Sequence, residues 1–316
     1  FQAFSQPLPG KPFGMFAFGE ASGSVHTFVG TENKIYALNK ENNNWEDVSR
    51  LGKAYEANES SRWSFALFGH CVIAVNKNDA PQILKIGESN RFCDLKGEPP
   101  RAGIVKVWGD FVCFMQLPDF PNRVHWSGLR DVECWEAGKK NCDYQDFSEG
   151  GEVQGSTESA DPIIFTRSAI YYGHFIPGSP VVFSFKKIYA KKGVKSPLSI
   201  ACRGDYAFFV DEGGFCQISS NGVINEIGLE KVNATIFSKV NSSNLASMQA
   251  AIDPINSRVY WLLDDKRQRI GTTLLIYDWN LQRWSRSNVR LHGLLSLFMQ
   301  GDTLEGLDKV CLLYTS

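Results

Sequence analysis

Five histidines (His26, His70, His125, His174 and His292) and eight cysteines (Cys71, Cys93, Cys113, Cys134, Cys142, Cys202, Cys216 and Cys311) are the side chains of this 316-residue sequence best suited to metal binding or nucleophilic chemistry. Their spacing supports neither. No HxH, HExxH or HxxxH pattern brings two imidazoles to one face, and no two cysteines form a CxxC pair. The histidines therefore read as surface or turn residues. Cys71, Cys113 and Cys216 sit inside apolar runs, so the thiols read as small core hydrophobes of a reduced compartment, not as a disulfide framework. Asp264-Asp265 is an acidic pair, but Lys266, Arg267 and Arg269 follow it, and the stretch reads as a solvated hairpin tip. Glycoside hydrolysis requires two carboxylates about 5–10 Å apart across a cleft, a geometry that adjacency in sequence does not supply. The chain carries no glycine-rich phosphate loop between strand and helix, no GxSxG elbow and no Ser-x-Asp-x-Gly-x-x-Trp turn. No catalytic, cofactor-binding or metal-ligating residue is assigned.

Three further motifs have a structural reading beside the functional one. Arg203-Gly204-Asp205 spells an integrin-type tripeptide, yet it occupies a turn position that Gly109-Asp110 also fills, and a β-turn explains it. Lys186, Lys187, Lys191, Lys192 and Lys195 form the local basic run. They could meet a nucleic-acid backbone or an acidic partner, but lysines at strand ends commonly serve to discourage edge pairing. Sequons begin at Asn58, Asn233 and Asn241, and without a secretion signal they read as chance matches. A formal charge of −1 gives no whole-chain footprint for nucleic acid or an anionic membrane. No apolar run reaches the ~20 residues of a membrane helix. Phe1 to Ser5 lack the charged start and apolar core of a signal peptide. With no Met at position 1 and an ending inside a phrase at Tyr314–Ser316, the sequence reads as a fragment.

The elements that must position these residues are strands. Hydrophobic content of 43% permits a substantial core, and 22 Phe with 8 Trp favour β structure. Between Asp253 and Ser285, two β-rich runs (Arg258–Leu263 and Thr273–Tyr277) are bounded by Asp, Asn and Pro clusters, the mark of antiparallel strands. A single hairpin is unstable alone, so the unit needs neighbours, and the chain supplies them. A turn followed by a short apolar run recurs at positions 33, 69, 109, 168, 204 and 257. The intervals are 36, 40, 59, 36 and 53 residues and average about 45, the length of a four-stranded propeller blade. Val240–Ala251 and Arg290–Gln300 are the two stretches with room for a helix of more than two turns. The expected fold is all-β, a β-propeller-like array of about six to seven small antiparallel sheets. Its expected limits are residues 24–289, with 1–23 an N-terminal segment able to supply a closing strand and 290–316 a C-terminal segment, truncated or completing the last blade.

The order of short motifs adds a resemblance. Tyr36…Trp45-Glu-Asp-Val-Ser49, Trp63–Gly69, Pro81-Gln82 and Pro99–Gly103 are followed by Asn122–Ser127 with Trp135. Gly150–Gly155, Ile164-Phe165…Ile170-Tyr171 and Gly213–Phe215 complete the series. Over about residues 23–285 it resembles the propeller-bearing hub or nozzle proteins of short-tailed bacteriophages and prophages, the packaged-DNA-stabilisation type. The resemblance implies a non-catalytic virion component that forms a homo-oligomeric ring around the DNA exit channel below the portal. Its partners would be the portal or adaptor and other tail subunits, with passive contact to packaged DNA and none to membrane. Its place would be the virion, and the host cytoplasm during assembly. No enzyme activity, cofactor or metal is implied. Two other readings stay open: a kelch-like protein-binding adaptor, prompted by Tyr277-Asp278…Trp284 and Gly213-Gly214, and a carbohydrate-active propeller enzyme.

Overall fold

The computed structural model describes residues 5–20, 22–203, 206–238, 245–253, 255–263, 272–289, 291, 293–297 and 309–313. They form six four-stranded antiparallel sheets, each a simple meander, and one two-stranded sheet. Blade 1 comprises β1 (Gly14–Gly19), β2 (Val25–Gly30), β3 (Ile35–Leu38) and β4 (Trp45–Asp47). Blade 2 comprises β5 (Ser64–Phe68), β6 (Cys71–Val75), β7 (Gln82–Lys85) and β8 (Cys93–Asp94). Blade 3 follows with β9 (Ile104–Trp108), β10 (Phe111–Met115), β11 (Arg123–Trp126) and β12 (Asp143–Asp146). Blade 4 has β13 (Val153–Ser156), β14 (Ile163–Thr166), β15 (Ala169–Phe175) and β16 (Phe183–Ala190). Blade 5 has β17 (Ala201–Arg203), β18 (Tyr206–Asp211), β19 (Gly214–Ser219) and β20 (Ile224–Glu226). Blade 6 has β21 (Gln249–Asp253), β22 (Arg258–Leu263), β23 (Thr272–Asp278) and β24 (Arg283–Val289). The two-stranded sheet pairs β25 (Gly293–Leu297) with β26 (Lys309–Leu313).

The first strands of successive blades pack on one another around an axis, β1 against β5, β5 against β9 and β17 against β21. The fold is a six-bladed β-propeller. β25 packs against both β21 and β1, so the two-stranded sheet lies between the sixth blade and the first. Gly14–Gly19, expected from sequence to belong to a segment outside residues 24–289, is the innermost strand of blade 1. Of the two stretches with room for a long helix, Val240–Ala251 has Leu245 and Ala246 helical before β21 begins at Gln249, and the described part of Arg290–Gln300 contains β25. The described helical pieces are short: a 3₁₀ turn at Pro197–Ser199, α1 at Asn233–Phe237, and the two residues Leu245 and Ala246.

Burial follows radius. The second strands β6 (CVIAV) and β10 (FVCFM) are buried at every position, because both their faces meet another blade. The outermost strands are wet: β12 (DYQD) alternates half-buried and exposed, and β24 is mostly exposed. Side chains alternate across a strand, so each strand serves two interfaces. In β6, Val72 and Ala74 join the core shared with blade 1, while Cys71, Ile73 and Val75 join the core shared with blade 3. The tight hairpins demand glycine. Phe68 pairs with Cys71 and Trp108 with Phe111, leaving two-residue loops that start at Gly69 (φ 59°) and Gly109 (φ 55°), where the left-handed backbone matches the strand twist.

Tryptophans tie the blades together. Trp63, at the start of blade 2, donates from Nε1 to Thr31 O of blade 1 at 2.9 Å. Trp108 reaches from blade 3 to Ser156 Oγ of blade 4 at 2.8 Å. Trp284 of blade 6 reaches Ile227 O, just beyond β20, at 3.0 Å. A buried indole N–H left unpaired would be costly, so each bond fixes one blade against its neighbour.

Candidate functional site

The residues nominated from sequence do not converge. Of the local basic run, Lys187 pairs with Glu149, Lys192 with Glu226, and Lys195 with Glu212 at 3.2 Å. Lys186 and Lys187 lie on β16, the outermost strand of blade 4, which fits strand-edge lysines. Gly204-Asp205, Asp264-Asp265 and His292 lie outside the described residues, as do Asn241 and the side chain of Cys311. His26, His70 and His174 each face one carboxylate, Glu20, Glu88 and Asp161 respectively. His125 meets the Trp135 ring edge-on, with its Nε2 3.6 Å from the Cys142 thiol. Among the described residues, no three His, Cys, Asp or Glu side chains cluster as a metal site would require. Burial pushes the Cys142, Cys202 and Cys216 thiols up to about 12. They stay protonated at neutral pH and are poor nucleophiles. Asn233, the head of a sequon, spends its carboxamide on the backbone, donating to Gly213 O at 3.0 Å.

What the fold does assemble is a surface. Because each blade has four strands, the chain leaves it at the end where it entered. The first-to-second and third-to-fourth strand turns of every blade therefore project from one face of the disc. Among the described residues ten large apolar side chains are exposed, and six of them lie on that face. Leu129, Val181, Val223 and Leu281 come from the third-to-fourth connections of blades 3, 4, 5 and 6, while Tyr206 and Ile255 come from the first-to-second turns of blades 5 and 6. Blades 1 and 2 contribute none, so the six trace an arc over four consecutive blades. Exposed apolar side chains scattered singly mean little, and what sets these six apart is that they share one face of the disc. Sequence reasoning missed this arc because its members are spread over 152 positions and come to one face only through the ring.

On the opposite face the inner strands converge around a small axial cavity of about 140 Å³. Met15, Trp63, Gln249 and Leu294 line it, with Arg62 at its edge tied to Glu59 at 2.7 Å. The cavity is mostly a packing feature: Gln249 Oε1 accepts the Leu294 N–H at 3.4 Å, which links blade 6 to β25.

Neither a protein-family model nor a curated protein sequence matches the chain. Solved structures do. The extracellular domain of a putative hybrid two-component system from B. thetaiotaomicron superposes with a TM-score of 0.59 at 10% identity, over 97% of this chain and 39% of that one. This chain thus spans well under half of that protein. The WD40 β-propeller domain of Doa1 gives 0.55 at 8% identity, covering 93% and 88%. The computationally designed Ika8 protein gives 0.52 at 8% identity, covering 98% of each. Likeness at such low identity establishes the propeller fold and nothing about activity.

Proposed function

We propose that this chain is a non-catalytic structural protein of a bacteriophage or prophage virion, a tail hub or nozzle component. In this reading it packs into a homo-oligomeric ring around the DNA exit channel below the portal. The observation that carries the reading is the apolar arc of Leu129, Val181, Tyr206, Val223, Ile255 and Leu281 on one face of a rigid disc. Large exposed apolar side chains concentrated over adjacent blades suit burial against another protein. The ordered motif series from Tyr36 to Phe215 supplies the kind of assembly, and the near-neutral charge suits a channel through which DNA must slide without being gripped. The partners are then the portal or adaptor and neighbouring tail subunits, and the protein resides in the virion after assembly in the host cytoplasm.

The test is the oligomeric state of the purified chain, measured by mass photometry and electron microscopy. Rings are expected, and Val181→Glu combined with Leu281→Glu should dissociate them with the unfolding midpoint unchanged within about 2 °C, as for surface substitutions away from the core. Monomers at high micromolar concentration, with or without a co-expressed portal, would sink the ring reading. They would favour the second reading, a propeller adaptor that binds another protein through the same face. Tyr277 facing Trp284 across the β23–β24 pair is a local feature in favour of that reading, beside the Gly213-Gly214 doublet.

A further inference from the structure

A cleft of about 300 Å³ opens on the same turn face between blades 4 and 5. Its volume is at the lower end of the ~300–1,000 Å³ typical of small-ligand sites. The floor is apolar, made by the buried Ile163, Ala207 and Ile218. One wall is the ring of Tyr206, 45% exposed at the start of β18. The other is the β13–β14 turn, which presents Glu158, Ser159 and Asp161.

The charges of this wall are balanced. Glu158 Oε1 is held by Lys106 Nζ at 3.0 Å, a lysine from the innermost strand of blade 3. Asp161 Oδ1 is held by His174 Nδ1 at 3.1 Å and by the Phe175 N–H at 2.9 Å. Each carboxylate is thereby oriented, Asp161 also by a side-chain hydrogen bond with the Tyr172 phenol, and Glu158 Oε2 is outside these bonds. The Thr157 hydroxyl, which accepts the Ile163 N–H at 2.9 Å, keeps its own proton to donate. A strongly cationic ligand would have to approach Lys106, and an anionic one would meet two carboxylates. The complementary ligand is neutral, has an apolar face for Tyr206 and the floor, and carries hydroxyls at its edge for the carboxylates. Hydrogen bonds from hydroxyls to ionised carboxylates are the stronger kind, and a phenol ring offers a flat apolar surface with a polar tip.

We propose that this cleft is a saccharide-binding site that takes a neutral pyranose unit. The ring would stack on Tyr206 and the hydroxyl edge would be read by Asp161 and Glu158. The Cys202 thiol at its side stays protonated. This proposal does not rest on the virion reading, and it requires that Tyr206 stay open to solvent where the rest of the arc meets another protein.

The experiment is saturation-transfer NMR followed by calorimetry on the full chain, with methyl glycosides of glucose, galactose, mannose and N-acetylglucosamine as probes. At least one is expected to bind with millimolar or tighter affinity. Tyr206→Ala and Asp161→Asn should each weaken it at least about tenfold, the scale of one lost charged hydrogen bond or stacking surface, while Tyr206→Phe should retain it. Ser220→Phe, a change on the exposed lip of the cleft, should block binding with the fold intact, which guards against a variant that merely unfolds. No binding by any of the four glycosides at tens of millimolar overturns the proposal. So does binding that survives both Tyr206→Ala and Ser220→Phe.

Discussion

Arg50 holds the junction of blades 1 and 2. Its guanidinium, with only 8% of the side chain exposed, reaches Asp79 at 2.7 Å and Asp94 at 3.0 Å. It lies 4.6 Å from the centre of the Tyr55 ring and also donates to Lys53 O and Ala54 O. Asp79 in turn accepts the Glu56 N–H and the Asn76 carboxamide. Every polar atom at the centre of this network has a partner, the condition under which a buried pair is tolerated. Arg50→Met would leave Asp79 buried without its counter-charge and should cost about 3–5 kcal/mol, read by urea denaturation. Arg50→Lys should cost less, since charge survives and the fork of donors is lost. None of this was visible in the sequence. Arg50 and Asp79 are 29 positions apart, and a pair formed by two loops leaves no periodic trace.

Titration adds a second prediction at this scale. Burial pushes His125 and His26 below the usual imidazole value of 6.5. A histidine whose folded pKa is depressed takes up fewer protons than in the unfolded chain, so its contribution is complete above 6.5 and is lost as pH falls below that value. Asp47 behaves alike at lower pH. Burial raises it, but hydrogen bonds from Lys34 and Ser49 outweigh burial and hold its carboxyl at about 2, against a usual 3.8. Its contribution is present above 3.8 and disappears as pH falls towards 2. The unfolding midpoint should therefore be level from pH 7 to about 8, decline above about 9 as the thiols held protonated in the fold ionise in the unfolded chain, decline gently below 6.5 and drop steeply below about 4. Differential scanning fluorimetry across that range checks the profile, and His125→Asn should remove part of the gentle decline alone.

At the scale of elements, one strand serves two cores. In β10, Phe111 packs into the core shared with blade 4 and Phe114 into the core shared with blade 2. Phe114 stacks on Trp135 with ring centres 4.2 Å apart, whereas Phe111 meets Phe183 at 5.3 Å. Because they share no partner, Phe111→Leu and Phe114→Leu should each cost on the order of 1–2 kcal/mol and add within about 0.5 kcal/mol in the double variant. Marked coupling in denaturation would mean that the interfaces are not separate. The recurring turn-and-strand phrase was legible for the same reason that its spacing was not. All hairpins of a blade look alike locally, so positions 33 and 168 mark second-to-third strand turns, while 69, 109, 204 and 257 mark first-to-second connections. Counted from the innermost strands, which start at residues 14, 64, 104, 153, 201 and 249, the intervals are 50, 40, 49, 48 and 48. The unevenness of 36 to 59 came from mixing two kinds of turn, not from the blades.

The whole molecule depends on closing the disc. Each blade buries its two faces on its neighbours, and without closure the first and last would each leave one face open to water. Among the described residues, blade 1 takes all four strands from Gly14–Asp47 and none from the far end of the chain. Closure instead runs through β25, which starts at Gly293, 44 residues after the start of β21, close to the interval between blades. Leu291 and Leu294 cover Ala251, Leu262 and Leu274 of blade 6, and β25 also packs on β1. A chain ending at residue 289 would uncover that apolar face. At about 1.5–3 kcal/mol for each large side chain returned to water, losing cover over Leu262 and Leu274 alone amounts to roughly 3–6 kcal/mol. The unfolding midpoint should then fall by on the order of 10 °C, with increased binding of a hydrophobic dye. If the shortened chain melts where the full chain does, the two-stranded sheet is an appendage, and blades 1 and 6 close the disc by themselves.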